Sequence, residues 1–139
     1  IILKGILHPD DASRALDAGM DGVWVSNHGG RQIDNEVSSL QALPAVAQAV
    51  AGSVPVIFDS GIRGGADAFT AVALGATAIG IGRPYVYGLA LAGASGVSEV
   101  MRNLIAELDI TMGFCGLRDV KKVDRGILVP GTYPTAIAP

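Results

Sequence analysis

The sequence predicts an α/β fold in which about four βα units supply half of a TIM (β/α)8 barrel. Short, continuously apolar runs alternate with helical patterns, as parallel strands buried on both faces require. Polar residues fall within or just after each of these runs: Lys4, Asn27 with His28, Asp59, and Arg83. Alternation alone fits a small doubly wound sheet equally well. The polar residues favour the barrel, which assembles its site on the carboxyl-terminal face from successive strands.

Ile1-Ile2-Leu3-Lys4-Gly5-Ile6 reads as the first strand, and Pro9-Asp10-Asp11 opens a helix that carries Ala12, Ala15 and Leu16 at helical spacing. The second unit is the run Gly22 to Asn27, a polar Gly-rich loop, and a helix from about Ser39 to Ala51 with Leu40, Leu43, Val46 and Val50 inward. Val54 to Asp59 gives the third strand. Its helix, Gly65 to Leu74, closes at Gly75, where glycine takes the left-handed conformation easily. Ala78 to Gly82 is the fourth strand, and Pro84 suits the first turn of the next helix. Two helical stretches follow, about Tyr85 to Ala92 and Val97 to Phe114, then a short helix near Asp119 to Asp124. The barrel portion is placed at residues 1–125 and a loose, irregular tail at 126–139.

Half of the 139 residues are apolar, enough for a substantial core, and the net charge of -3 makes no electrostatic case for a nucleic acid or an anionic membrane as partner. Residues 66–82, the most apolar region, contain Asp67 and several glycines and divide into a helix and a strand rather than a membrane span. The single Cys115 cannot form an internal disulfide and reads as a buried free thiol in a reducing, cytoplasmic setting. The chain opens at Ile1 inside a strand-like run, without an initiator Met or a signal-peptide pattern, and so reads as truncated. An isolated half-barrel would expose sheet edges and an apolar face, so a partner half is expected.

Ser26-Asn27-His28-Gly29-Gly30-Arg31-Gln32 sets an imidazole and a guanidinium three residues apart in a loop that can approach a ligand closely. Arg31 can hold a carboxylate through two parallel hydrogen bonds, and His28 can accept a proton from the neighbouring carbon or hydroxyl. The alternative is a solvated turn with a capping Asn. Asp59-Ser60-Gly61-Ile62-Arg63-Gly64-Gly65 is a strand end, a Gly-rich turn and a helix start, an arrangement that receives phosphate on backbone N–H groups. Arg63 would supply countercharge and Arg83, after Gly82, a second guanidinium; the alternative is a pair of ordinary surface arginines. Lys4, inside an apolar strand, must meet an anion, reach solvent or pair with Asp59. His8 belongs to a turn before a helix and receives no role. A metal site from His8 and His28 lacks the usual spacing and carboxylate companions. Trp24, Phe58 and Phe69 read as core.

Taken together, Leu3-Lys4-Gly5, the Ser26–Gln32 run, Asp59-Ser60-Gly61-Ile62-Arg63-Gly64-Gly65-Ala66-Asp67 and Ile81-Gly82-Arg83-Pro84 resemble the flavin mononucleotide (FMN)-dependent 2-hydroxy-acid dehydrogenase family. Four motifs in order make the resemblance specific, and it covers about residues 1–125, as the C-terminal half of the barrel. The Ile6-Leu7-His8-Pro9-Asp10-Asp11 and Gly82-Arg83-Pro84-Tyr85 stretches are most similar to its lactate 2-monooxygenase and lactate oxidase branch.

The resemblance implies FMN as cofactor and oxidation of a small, lactate-like L-2-hydroxy acid to the 2-oxo acid. By position it makes His28 the catalytic base and Arg31 the carboxylate ligand. Lys4 would stabilise negative charge on the reduced ring, Ser26 would contact the flavin, Asp59, Ser60, Gly61, Ile62 and Arg63 would line the cofactor, and Gly82 with Arg83 would hold its phosphate. Hydride and carbanion routes both remain open, as does the electron acceptor. The family's tyrosines, second arginine and base-orienting aspartate belong to the N-terminal half, and Gly64 stands where many relatives carry a larger or basic residue. The expected partners are therefore the substrate, the missing N-terminal half and further copies in a homo-oligomer. Two other readings are another FMN barrel, such as a type 2 isopentenyl-diphosphate isomerase, and a non-catalytic half-barrel scaffold that binds phosphate.

Overall fold

A computed structural model of the chain describes residues 1–133. Four strands, β1 (Ile2–Ile6), β2 (Gly22–Val25), β3 (Val56–Phe58) and β4 (Ala78–Ile79), form one parallel sheet in the order β1-β2-β3-β4. Between them run α1 (Pro9–Asp17), α2 (Ser39–Val50) and α3 (Gly65–Ala73), and α4 (Arg83–Phe114) follows β4. A doubly wound sheet reverses its strand order at a switch point, whereas this sheet always steps to the same side. Parallel crossovers are right-handed, so α1, α2 and α3 fall on one face of the sheet, as in a segment of a (β/α)8 barrel.

The register shows how period-two patterning sorts the side chains. Val23 pairs with Val56, and Val25 with Phe58; these four are buried together with Ala12 and Ala15 of α1, Leu43 and Val46 of α2, and Ala71 and Leu74. Lys4, Trp24, Ile57 and Ala78 form the alternate row on the opposite face. Continuous apolar strands imply burial on both faces, yet the helices cover only one, and Trp24 is accordingly half-buried. A β-bulge between Lys4 and Ile6, with Gly5 at φ 95°, re-aims the end of β1.

Local signals set the helix starts. His8 is the N-cap of α1, its Nδ1 accepting the Asp10 N–H at 3.3 Å, with Pro9 in the first turn. Ser38 and Gln41 form a capping box on α2. The third and fourth strands are shorter than their apolar runs: β3 omits Val54, Pro55 and Asp59, and β4 ends at Ile79, where the chain passes through residues 80–82 into the next helix. The two helical stretches expected after Pro84 are both present within α4, separated where Ala92 and Gly93 leave helical geometry. At that break Gly88 and Gly96 touch backbone to backbone: a Cβ on Gly96 would lie 1.9 Å from the Gly88 carbonyl oxygen.

Three further expectations change. Cys115 is exposed, at the C-cap of α4. The region near Asp119 to Asp124 is a single 3-10 turn, Val120–Lys122, capped by the Asp119 carboxylate, and a second turn spans Arg125–Ile127. The tail is not loose up to Tyr133, because Leu128 and Tyr133 pack against the main core; residues 134–139 of that tail lie outside the described residues. Among the described residues no helix is long and apolar enough to cross a membrane.

Candidate functional site

At the carboxyl-terminal ends of the strands a cleft of about 730 Å3 is lined by Lys4, His28, Arg31, the segment Asp59–Arg63, Gly82 and Arg83. Ser26 lies just beneath, 1% exposed. Lys4, His28, Asp59 and Arg83 thus converge, because each lies within or just after a strand of one parallel sheet, whereas Asn27 does not line the cleft. Trp24, Gly29, Gly80, Ile81, Pro84 and Tyr87 also line the cleft. Trp24 joins the cleft rather than the core because it pairs in register with Lys4 and so shares its face of the sheet.

Lys4 reaches across the sheet. Its Nζ donates to Ser26 Oγ at 2.6 Å and to Asp59 Oδ2 at 2.5 Å, and it lies 4.5 Å from the Trp24 ring centroid. The ion pair with Asp59 therefore exists, and the ammonium is still part-exposed to the cleft. Burial pushes the Asp59 carboxyl up, but hydrogen bonds from Lys4, Ser26 and Ser60, with the Lys4 charge, outweigh it and hold the group below the ordinary carboxylate range.

A carboxyl depressed in the fold contributes stability above its unfolded value and loses it as pH falls through the lowered folded value. Acid titration followed by the emission of Trp24, the only Trp of the sequence, is expected to show the pair opening below pH 3.8. A midpoint at or above that value, or the same curve in Asp59→Asn, would contradict this account.

The loop after β2 is organised by its own polar groups. Asn27 accepts the N–H groups of Gly29 and Gly30 on Oδ1, each at 3.2 Å, and its own N–H donates to buried Ser39 Oγ at 2.8 Å. The capping-Asn turn and the functional reading are thus compatible. Ser60, at a left-handed φ of 76°, accepts the Gly29 N–H at 3.1 Å and donates to Asp59 Oδ1 at 2.7 Å, tying the loop to β3. His28 is also left-handed, at φ 55°, and its N–H donates to Ser26 Oγ at 3.1 Å. Its ring stands over Gly5, where a Cβ would come within 3.2 Å of Cε1. Among the described residues no group hydrogen-bonds the His28 imidazole.

The phosphate-type turn behaves differently from its sequence. Arg63 and Gly64 donate their N–H groups to Asp67 Oδ2 at 2.9 and 3.3 Å, and Gly65 donates to Glu107 Oε2 at 2.8 Å. The start of α3 is therefore already capped by two carboxylates, which would repel an anion there. At the start of α4, by contrast, Gly82 provides no side-chain cap, so the helix N-terminus faces the cleft with its first N–H groups unclaimed by a capping side chain. Among the described residues Arg31, Arg63 and Arg83 have no ion-pair partner. A chain of net charge -3 thus gathers three uncompensated guanidinium groups at one cleft, an electrostatic setting for an anionic ligand.

The sequence model of the family described as FMN-dependent dehydrogenase matches residues 1–130. An L-lactate oxidase of Lysinibacillus sphaericus is 52% identical over 121 residues, covering 87% of this chain and 31% of the relative. An FMN-dependent alpha-hydroxy acid dehydrogenase of Schizosaccharomyces pombe is 53% identical over 124 residues, covering 89% of this chain and 30% of the relative. A crystal structure of mandelate oxidase with (S)-4-hydroxymandelic acid superposes with a TM-score of 0.86 at 45% identity, covering 89% of this chain and 35% of that one. The chain spans about a third of the length of these relatives.

Proposed function

The chain belongs to the FMN-dependent dehydrogenase family, and from that premise we propose that it carries the base and much of the cofactor site of an enzyme that oxidises a small, lactate-like L-2-hydroxy acid to the 2-oxo acid. The observation that supports this most is the meeting, in a single cleft at the strand ends, of one imidazole and three guanidinium groups that have no partner among the described residues. FMN fits that donor set. Its phosphate suits the uncapped start of α4 with Arg83 and Arg63, and its ring suits the part-exposed ammonium of Lys4.

Bound FMN supplies the two-electron acceptor for conversion of the carbinol to a carbonyl. Arg31 binds the substrate carboxylate with two parallel hydrogen bonds and so orients the carbinol toward His28. The His28 imidazole takes up the proton released in the oxidation, and its left-handed backbone, bonded to Ser26, directs the ring over Gly5 into the cleft. Lys4 would present positive charge to a bound flavin and favour its reduced form, while Asp59 and Ser26 hold its ammonium in place. Asp59, Ser60, Gly61 and Ile62, which line the cleft, would hold the cofactor, and Gly82 would help to hold its phosphate.

The rest of the machinery comes from a complementary barrel portion. Strand order leaves β1 and β4 as edges, and Ile2 and Leu3 on β1 are 47% and 42% exposed, a surface suited to barrel closure. Further copies of the protein would cover apolar residues such as Leu91 and Phe114. The lone exposed thiol of Cys115 suits a reducing, cytoplasmic compartment.

Mixing the FMN-loaded holoenzyme anaerobically with L-lactate is expected to bleach the flavin, and lactamide, which lacks the carboxylate, is expected to leave it oxidised. Arg31→Lys retains the charge but loses the fork, and should lower kcat/KM by about 10- to 100-fold, chiefly through KM. Equal bleaching by acid and amide would remove the carboxylate-binding role.

A further inference from the structure

We propose that Trp24 is a positioning residue for Lys4: its indole face fixes the ammonium where it meets the ring of bound FMN, and so raises the tendency of the bound cofactor to accept electrons. The proposal rests on the reading that Lys4 faces the flavin.

Three observations carry it. The Lys4 Nζ lies 4.5 Å from the Trp24 ring centroid, within the range in which an ammonium is attracted to the electron-rich face of an indole. Gly80, in the loop after β4, leaves room for that ring: a Cβ there would approach Trp24 Cζ2 to 2.8 Å. The Trp24 Nε1 is buried and without an acceptor among the described residues, an unfavourable state for a residue that merely fills space. Ile57, the neighbour of Trp24 in the same row, does that at no such cost. An indole at position 24 is explained by what its face does for Lys4.

The geometry also shows why Lys4 needs a third contact. Asp59 and Ser26 both draw the ammonium toward β2 and β3, and Asp59 neutralises part of its charge. An indole face attracts the cation without neutralising it, so the charge stays available to the cleft. Lys4 and Trp24 are register partners on adjacent strands, which fixes this arrangement in the sheet rather than in a loop.

The test uses the FMN-loaded holoenzyme, with the ratio of reduced to oxidised FMN read against a reference dye at fixed poise. Trp24→Leu should lower that ratio about 10-fold, and Trp24→Phe, which keeps a ring face, should lower it less. If Trp24→Leu does not fold, tetrafluorotryptophan at position 24 keeps the shape and withdraws the ring's electrons, and the ratio should fall similarly. In the apoprotein, Trp24 emission should be quenched as FMN is added. Lys4→Met separates the two levels of the argument. If it lowers the ratio while the leucine and tetrafluorotryptophan forms match wild type, the role of Trp24 is overturned and the functional reading stands. If Lys4→Met leaves the ratio unchanged, or FMN does not bind, both fail together.

Discussion

His28→Ala in the FMN-loaded holoenzyme is expected to lower kcat for 2-hydroxy-acid oxidation by about 100- to 10,000-fold, the usual contribution of a positioned general base. The imidazole lines the cleft and has no hydrogen-bond partner among the described residues, so its removal strands no structural contact. What it leaves intact is equally specific. Lys4, Asp59 and Ser26 bond to one another independently of the ring, so FMN affinity should change little. Stopped-flow bleaching with L-lactate, beside a flavin-binding titration, separates these quantities. A variant that bleaches at the wild-type rate would remove His28 from the mechanism; one that loses FMN would make it a structural residue of the cofactor site.

The largest expected effect on stability comes from a glycine far less conspicuous in the sequence. In Gly65→Ala the new Cβ would lie 2.0 Å from the Leu108 backbone nitrogen and 2.4 Å from the Glu107 carbonyl carbon. Both are main-chain atoms in α4, so no side-chain rotation relieves the clash and α3 must move away from α4. Such overpacking costs about 3 kcal/mol, and the same movement breaks the 2.8 Å bond from the Gly65 N–H to Glu107. Urea unfolding of the holoenzyme should show a lower midpoint at an unchanged slope. Gly64→Ala serves as the comparison, since its Cβ would meet only the Glu107 side chain, which can swing aside. Equal stability of Gly65→Ala and wild type would mean that the helices are not pressed together at this point.

The contrast between these two residues shows where sequence reasoning reaches. His28 is legible because a polar residue at the end of an apolar strand has few places to go. Gly65 reads as part of a phosphate turn, and only the approach of α4 reveals it as a packing glycine. The phosphate turn itself was half legible: its residues line the cleft, but its first N–H groups are occupied by Asp67 and by Glu107, which lies 42 residues beyond the Gly65 it caps. No local pattern foretells that contact. Trp24 reads as core because aromatic residues in apolar runs usually lie there; the strand pairing places it beside Lys4 instead.

The sequence by itself determined the succession of strands and helices, the capping of α1 and α2, and the set of groups offered to the strand ends, because these follow from periodicity, turn chemistry and chain order over a few residues. Tertiary structure alone decided that the sheet steps in one direction, that Lys4 is shared by Asp59, Ser26 and Trp24, and that the free helix N-terminus at the cleft is that of α4 and not of α3. Each of these depends on partners tens of residues apart, whose meeting is fixed by strand register and helix packing rather than by local preference.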